Sequence, residues 1–203
     1  MYATIHRFRR WPDEESTEWG RALLATVLDG DQPLVSCVLG RLDGLDGAVF
    51  TLWDDEADAA AAAERMGGDA RWLEARVYRV AGEQRGSAAG TTPRFAQVVR
   101  LNGTGERDRA DAAVRAGRER IAPAVRHVDG VVGTYVLRAE DNSLVILTLV
   151  TEVEVPEVLS RVILATDLLP WEDPARLPEL DRIDIDRVLV ADLPAHALME
   201  VRS

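Results

Sequence analysis

The sequence predicts an α+β protein built from two ferredoxin-like βαββαβ units within one chain. Three observations support this fold class. Strand-like and helix-like segments follow the order β-α-β-β-α-β, and the whole order then occurs a second time. An Asp-Gly or Asp-Asn turn separates the second and third strands of each half. Finally, Thr51-Leu52 recurs as Thr148-Leu149, and Phe95 takes the place of Tyr2.

The first half begins with a short strand and an amphipathic helix. Residues 2–8 are rich in β-forming and aromatic residues, which favours a strand. The acidic residues 13–15 suit a helix start, where carboxylates meet the positive end of the helix dipole. Trp19, Leu23 and Val27 follow at helical spacing and predict an apolar face.

The remainder of the first half completes one unit. Apolar runs at 34–39 and 48–53 predict two strands joined through Asp-Gly turns. An alanine-rich helix is expected over 54–66 on propensity, and a fourth strand over 72–80. Residues 82–94 are rich in Gly, Ser and Thr and lack periodicity, so they predict a linker.

The second half repeats the order with one addition. Strands are expected at 95–101, 130–137, 144–150 and 183–190, with helices at 106–125 and from Pro156 onward. Residues 167–180 form an insertion with a proline at every fourth position, which excludes a regular helix. We expect a loop there, anchored by Trp171. The predicted domains are therefore a first unit (1–81), the linker (82–94) and a second unit (95–203).

Composition excludes several classes of function. The net charge is -11, which disfavours binding to nucleic acid or to anionic membrane surfaces. All 24 basic residues are arginine, so Schiff-base lysine chemistry is excluded. Cys37 is the single cysteine, which excludes an internal disulfide and a cysteine-based zinc site. No apolar signal segment or membrane-length run occurs, and we expect a cytoplasmic protein.

The segment 32–62 carries a family resemblance. It reads QPLVSCVLGRLDGLDGAVFTLWDDEADAAAA: a Pro-hydrophobic entry to strand 2, the Asp46-Gly47 turn, a strand ending in Trp53, and an acidic, alanine-rich helix. With the element order of residues 2–80, this resembles the antibiotic biosynthesis monooxygenase-like family of dimeric α+β barrels. The second half resembles the family in element order only, and Val150 stands at the position of Trp53.

The resemblance implies a fold and a choice of functions. The fold is a single-chain dimeric α+β barrel, in which two sheets pack face to face and a pocket lies between sheet and helices. It implies a monomeric pseudo-dimer or a weak homo-oligomer. The function implied is a cofactor-independent oxygenase acting on a small aromatic or polyketide-like substrate. The alternative is a non-catalytic ligand-binding or interaction module descended from the family. This alternative is favoured by Val49, which replaces the Asn that the oxygenases use four residues before the tryptophan.

Two residues are candidates for a site in the first unit. His6 lies on one face of the first strand and is the candidate catalytic base, since its ordinary pKa lies near neutrality. Trp53 is the candidate ligand-binding residue, which would stack on an aromatic ring. The alternative for each is structural, a hydrogen-bonded interior histidine and an aromatic packed beneath a helix. The corresponding residues of the second half are Val99 and Val150. No metal-binding motif occurs, and neither a metal nor a cofactor is expected.

Overall fold

The computed structural model describes residues 1–9, 16–42, 44–65, 71–102 and 105–193. The predicted helix start at 13–15 and residues 194–203 of the predicted second unit lie outside this part of the chain. The strands are β1 (Tyr2–Arg9), β2 (Val35–Arg41), β3 (Asp46–Trp53), β4 (Trp72–Arg85), β5 (Phe95–Asn102), β6 (Val131–Arg138), β7 (Leu144–Val150) and β8 (Glu179–Asp192). The helices are α1 (Thr17–Leu28), α2 (Glu56–Glu64), α3 (Arg107–Ala116), α4 (Ala122–Val125) and α5 (Val155–Leu164).

The strands of the described residues form a closed barrel. Their order is β1-β3-β2-β8-β5-β7-β6-β4. Tyr2 lies opposite Trp53 in the antiparallel β1–β3 pair, and Phe95 lies opposite Val150 in the antiparallel β5–β7 pair. The element order β-α-β-β-α-β therefore occurs twice with matching strand register. The predicted fold class, two ferredoxin-like units fused into a single-chain dimeric α+β barrel, is confirmed.

Residues 1–80 form a compact unit together with the chain from Asp186. Its helix α1 is capped at the start by Ser16, whose side chain accepts a hydrogen bond from the Trp19 backbone N–H at 3.1 Å. Asp29 caps its end, with a φ of 48° in the left-handed region. The buried α1 residues Leu23 and Val27 pack in a core cluster that also holds Phe8, Val38 and Val49 of the sheet.

Helix α2 closes the same unit over the end of β3. Asp55 caps its start by accepting a hydrogen bond from the Asp58 N–H at 2.9 Å. Ala59 and Ala62 are the buried residues of α2, and their small side chains let the helix lie close to Trp53. The Arg65 guanidinium donates to the Leu28 carbonyl at 2.6 Å and so ties the end of α2 to the end of α1.

Residues 81–185 form the second compact unit. Its core cluster contains Val131, Val150, Val155 and Leu159, with Phe95 packed against it.

The predicted helix over 106–125 is interrupted. Helix α3 runs into a π-helical turn, Gly117–Ile121, before α4 begins. Pro123 explains the change, because it has no N–H to donate to the carbonyl of Glu119 four residues earlier.

The end of the fourth strand was predicted too early. β4 continues to Arg85, so residues 82–85 are strand rather than linker. The turn that follows is also held in place. Gly86 N–H donates to the Val132 carbonyl at 3.1 Å, and Ala88 N–H donates to the Val131 carbonyl at 2.8 Å. A Cβ at position 86 would lie 2.0 Å from the Val131 oxygen, so the close approach requires glycine.

The insertion is anchored to α3 and the π-helical turn, and it ends earlier than predicted. It contains a 3-10 turn, Pro174–Arg176, and β8 already begins at Glu179. The Arg115 guanidinium lies 4.1 Å from the centre of the Trp171 ring, which confirms the expected role of this tryptophan as an anchor. Arg120 Nε donates to both carboxylate oxygens of Glu172, at 3.0 and 2.8 Å.

Candidate functional site

His6 and Trp53 lie on the same face of the first-unit sheet. In the β1–β3 register Tyr2 is opposite Trp53 and His6 is opposite Val49. Directly opposed residues of an antiparallel pair share a face. Their backbone positions are about 14 Å apart along the strands, as four residues of extended chain require. Both side chains nevertheless meet α2, because His6 hydrogen-bonds to Ala62 and Trp53 packs in one cluster with Ala62.

The His6 ring is excluded from solvent and holds its proton on a defined nitrogen. Its relative exposure is 0%, and Nε2 lies 2.9 Å from the Ala62 carbonyl oxygen. A carbonyl only accepts hydrogen bonds, so Nε2 carries the hydrogen and Nδ1 bears the lone pair of the neutral ring. Nδ1 has no hydrogen-bond partner within the described part of the chain.

Burial also sets the charge of His6. Removal from water lowers the pKa of the imidazole, and this outweighs the hydrogen bond to Ala62, which raises it. The ring is therefore neutral at pH 7. The result is a buried base with an unoccupied acceptor atom on the helix-covered face of the sheet.

An aromatic cluster adjoins this base. The Trp72 ring packs against His6 in edge-to-face geometry, with a centroid distance of 5.9 Å. Phe8 contacts Trp72 at 6.0 Å and Trp19 at 5.5 Å, again in edge-to-face geometry. Trp19 and Trp72 are both partly exposed, so this aromatic cluster reaches from the buried imidazole to the surface.

Sequence reasoning missed Trp72 as part of the site. Its position at the start of a strand was predicted, but its neighbours depend on how β4 pairs with β1. In the structure Phe8 and Trp72 are Cα partners across these strands. The signal available in the sequence was that the first and fourth strands of a βαββαβ unit are neighbours and antiparallel, which places the end of one beside the start of the other.

Trp53 is held in a fixed orientation. The indole Nε1–H donates to Thr51 Oγ1 at 3.0 Å, and Thr51 Oγ1 in turn shares a hydrogen bond with Thr4. The indole is 3% exposed and lies against the alanines of α2. In this orientation the indole could stack on an aromatic ligand. The same orientation is equally expected of a structural tryptophan packed beneath a helix.

The second unit lacks the corresponding groups. In the β5–β7 register Val99 lies opposite Ile146, the place that His6 and Val49 occupy in the first unit. Val150 stands at the position of Trp53. A valine can neither accept a proton nor stack on a ring, so any chemistry of this kind is confined to the first unit.

Neither a metal cluster nor the cysteine adds a second centre among the described residues. Within the described ranges no group of three or more His, Cys, Asp or Glu side chains could hold a metal ion. Cys37 is fully buried, and its burial, with a smaller contribution from Asp192, raises the pKa of the thiol to about 12. The thiol is therefore protonated and inert. None of the described helices is both long and apolar enough to cross a membrane.

Comparison with known proteins establishes the fold. No family model and no curated protein matches the sequence. A provisionally assigned monooxygenase from Fusobacterium nucleatum has a similar structure, with a TM-score of 0.61 and 9% identity over 94% of this chain and 93% of that one. An anthrone oxidase-like protein gives 0.57 and 14%, over 94% and 92% of the two chains. A Listeria monocytogenes ferredoxin-fold protein related to antibiotic biosynthesis monooxygenases gives 0.50 and 10%, over 92% and 94%. The family resemblance is thus confirmed at the level of the fold.

Proposed function

We propose that the first unit binds a small aromatic or polyketide-like molecule between its sheet and its helices and oxidises it with O2 without a cofactor. His6 is the general base, and Trp53 holds the ring. The observation that carries the proposal is a neutral, buried imidazole whose Nδ1 has no partner among the described residues. The similar structures described as a monooxygenase and as anthrone oxidase-like support this class of reaction.

The proposed chemistry begins with proton removal. His6 Nδ1 takes a proton from a carbon or hydroxyl group conjugated with the aromatic ring, which leaves an electron-rich anion. The anion transfers an electron to O2, and the two radicals combine to a carbon-bound peroxide. The proton returns from His6 to this peroxide. For an activated CH2 group, loss of water then gives a carbonyl, so that CH2 and O2 become C=O and H2O.

Access to His6 requires movement of a side chain. The imidazole has no solvent exposure, so a ligand reaches Nδ1 only after a neighbour is displaced. Trp72 touches His6 by its ring edge and is itself partly exposed. We assign Trp72 as the side chain that swings outward to admit the ligand.

The test is oxygen uptake with an anthrone as substrate. A general base contributes roughly 100-fold or more to a reaction rate. We therefore expect His6→Phe to lower the rate of uptake and of quinone formation by about that factor. Val99→Ala, the matched change in the second unit, leaves both rates unchanged. Equal rates for wild type and His6→Phe, with both proteins folded by circular dichroism, would exclude His6 as the base.

A second candidate function is a non-catalytic ligand-binding or interaction module. The near-complete burial of His6 (0% exposed) and Trp53 (3% exposed) favours it, because both side chains then serve the core. The same experiment separates the two functions. A module binds the anthrone, or fails to bind it, but adds nothing to its spontaneous oxidation.

A further inference from the structure

We propose that the first-unit site selects its ligand by hydrogen-bond polarity: it accepts aromatic molecules that present an un-ionised hydroxyl or N–H group and rejects phenolates and carboxylates. This inference rests on the proposed function, since it concerns the ligand group that meets His6. It adds a specificity that the aromatic surroundings alone do not give.

The polarity follows from the fixed tautomer of His6. Nε2 donates to the Ala62 carbonyl, which lies in α2 and also accepts the Arg65 backbone N–H at 3.1 Å. The helix therefore holds this oxygen in place as an acceptor. Because the ring nitrogen bonded to it must carry the hydrogen, Nδ1 is left as an acceptor only. A ligand atom that meets Nδ1 has to bring a hydrogen.

The hydrogen bond that a ligand donates to Nδ1 displaces no water from this nitrogen. Nδ1 has already lost its water in the folded protein, since its ring is fully buried. A ligand donor thus restores a hydrogen bond to an atom whose desolvation is complete before binding. A methyl ether of the same ring restores nothing. We expect a preference of about 5- to 10-fold for the hydroxyl compound.

An anionic group on the ligand has no hydrogen to donate to Nδ1. It would face the lone pair of Nδ1 beside the Trp72 ring, at a position closed to solvent, where an unpaired charge is costly. The indole of Trp53 on the same face cannot donate to the anion, because its Nε1–H is already bonded to Thr51. The imidazole and the indole of this face thus offer no free donor to a negatively charged ligand.

The test compares naphthol, its methyl ether and naphthoate by calorimetric titration at pH 7. Wild type should bind naphthol about 5- to 10-fold more tightly than the ether, and naphthoate more weakly than either. In His6→Phe the preference for naphthol over the ether should fall to about one. This variant leaves no carbonyl unpaired, because Ala62 keeps the Arg65 N–H. Val99→Ala is the matched control and should keep the wild-type preference.

The outcomes distinguish this inference from the function on which it rests. Equal affinities of wild type for naphthol and its ether, both weakened by Trp53→Leu, would overturn the selectivity and leave the aromatic site intact. Naphthoate binding as tightly as naphthol would also overturn it. Failure of all three compounds to bind would overturn the selectivity and the proposed function together.

Discussion

Replacement of Arg120 by methionine should detach the insertion of the second unit and destabilise the protein. The Arg120–Glu172 ion pair is buried, with 11% of the arginine and 2% of the glutamate side chain exposed. Arg120 Nε reaches both carboxylate oxygens, and the Leu169 N–H donates to one of them at 2.8 Å. The insertion is therefore held to the π-helical turn by a bifurcated, charge-assisted hydrogen bond.

The expected cost follows from the charge left behind. Removing one partner of a buried ion pair typically costs about 3–5 kcal/mol, because the other charge stays desolvated. Burial raises the pKa of Glu172, but hydrogen bonds from Leu169 and Arg120 together outweigh it and hold this pKa below its ordinary value. Without Arg120 the burial prevails and the pKa rises. The loss of stability is thus largest at neutral pH and shrinks as acid protonates Glu172 in the variant.

Urea unfolding followed by tryptophan fluorescence measures this loss at pH 7 and pH 4. The control is Arg161→Met, which breaks the Arg161–Glu157 pair of 2.7 Å, whose side chains are 72% and 76% exposed. We expect this control to match wild type, since exposed pairs contribute little. If Arg120→Met matched the control, or if its deficit were the same at both pH values, the ion pair would not be what holds the insertion.

Three further predictions concern the first unit. The pKa of His6 is lowered in the folded state, so below about pH 6.5 the unfolded chain binds a proton that the buried ring does not. The free energy of unfolding of wild type should therefore fall as the pH falls below that value. In His6→Phe the urea midpoint should lack this dependence on pH. Trp53→Leu should weaken binding of a planar aromatic probe by about 2- to 12-fold through lost stacking, whereas Val150→Leu should leave the titration curve unchanged. In Gly47→Ala the new Cβ would lie 2.3 Å from Phe8 Cζ. Calorimetric melting should show that the free energy of unfolding falls by about 1–3 kcal/mol. An unchanged melting temperature would contradict the close approach.

The elements that sequence reasoning located were those specified by local chemistry. The apolar spacing of Trp19, Leu23 and Val27 placed α1, and the structure buries Leu23 and Val27 as expected. The Asp-Gly pairs between the two apolar runs predicted a hairpin, and β2 and β3 do pair antiparallel. The turn was placed too late, however, because Asp46 and Gly47 are already residues of β3. In each case the determining residues lie within one turn or one hairpin, so a single sequence suffices.

The errors arose where distant pairing decides the structure. Residues 82–85 and 179–182 are largely polar and show no alternation, yet they are strand in β4 and β8. Backbone hydrogen bonds to another strand, rather than their own side chains, keep such segments extended. The face of His6 could be predicted from the period of two along β1. Its tautomer could not, because the acceptor is Ala62, which is 56 residues away in the chain.

The two units together supply an internal control for the role of His6. At the position of His6 the second unit has Val99, and at the position of Trp53 it has Val150, which is fully buried in a hydrophobic cluster. The second unit therefore has an aliphatic side chain at both places, although Val99 is half-buried and His6 is fully buried. In the first unit a buried acceptor without a partner among the described residues costs about 1–3 kcal/mol relative to a satisfied one, and an aliphatic side chain would avoid that cost. Packing alone gives no reason to keep the imidazole, whereas a ligand that donates a hydrogen bond to Nδ1 does.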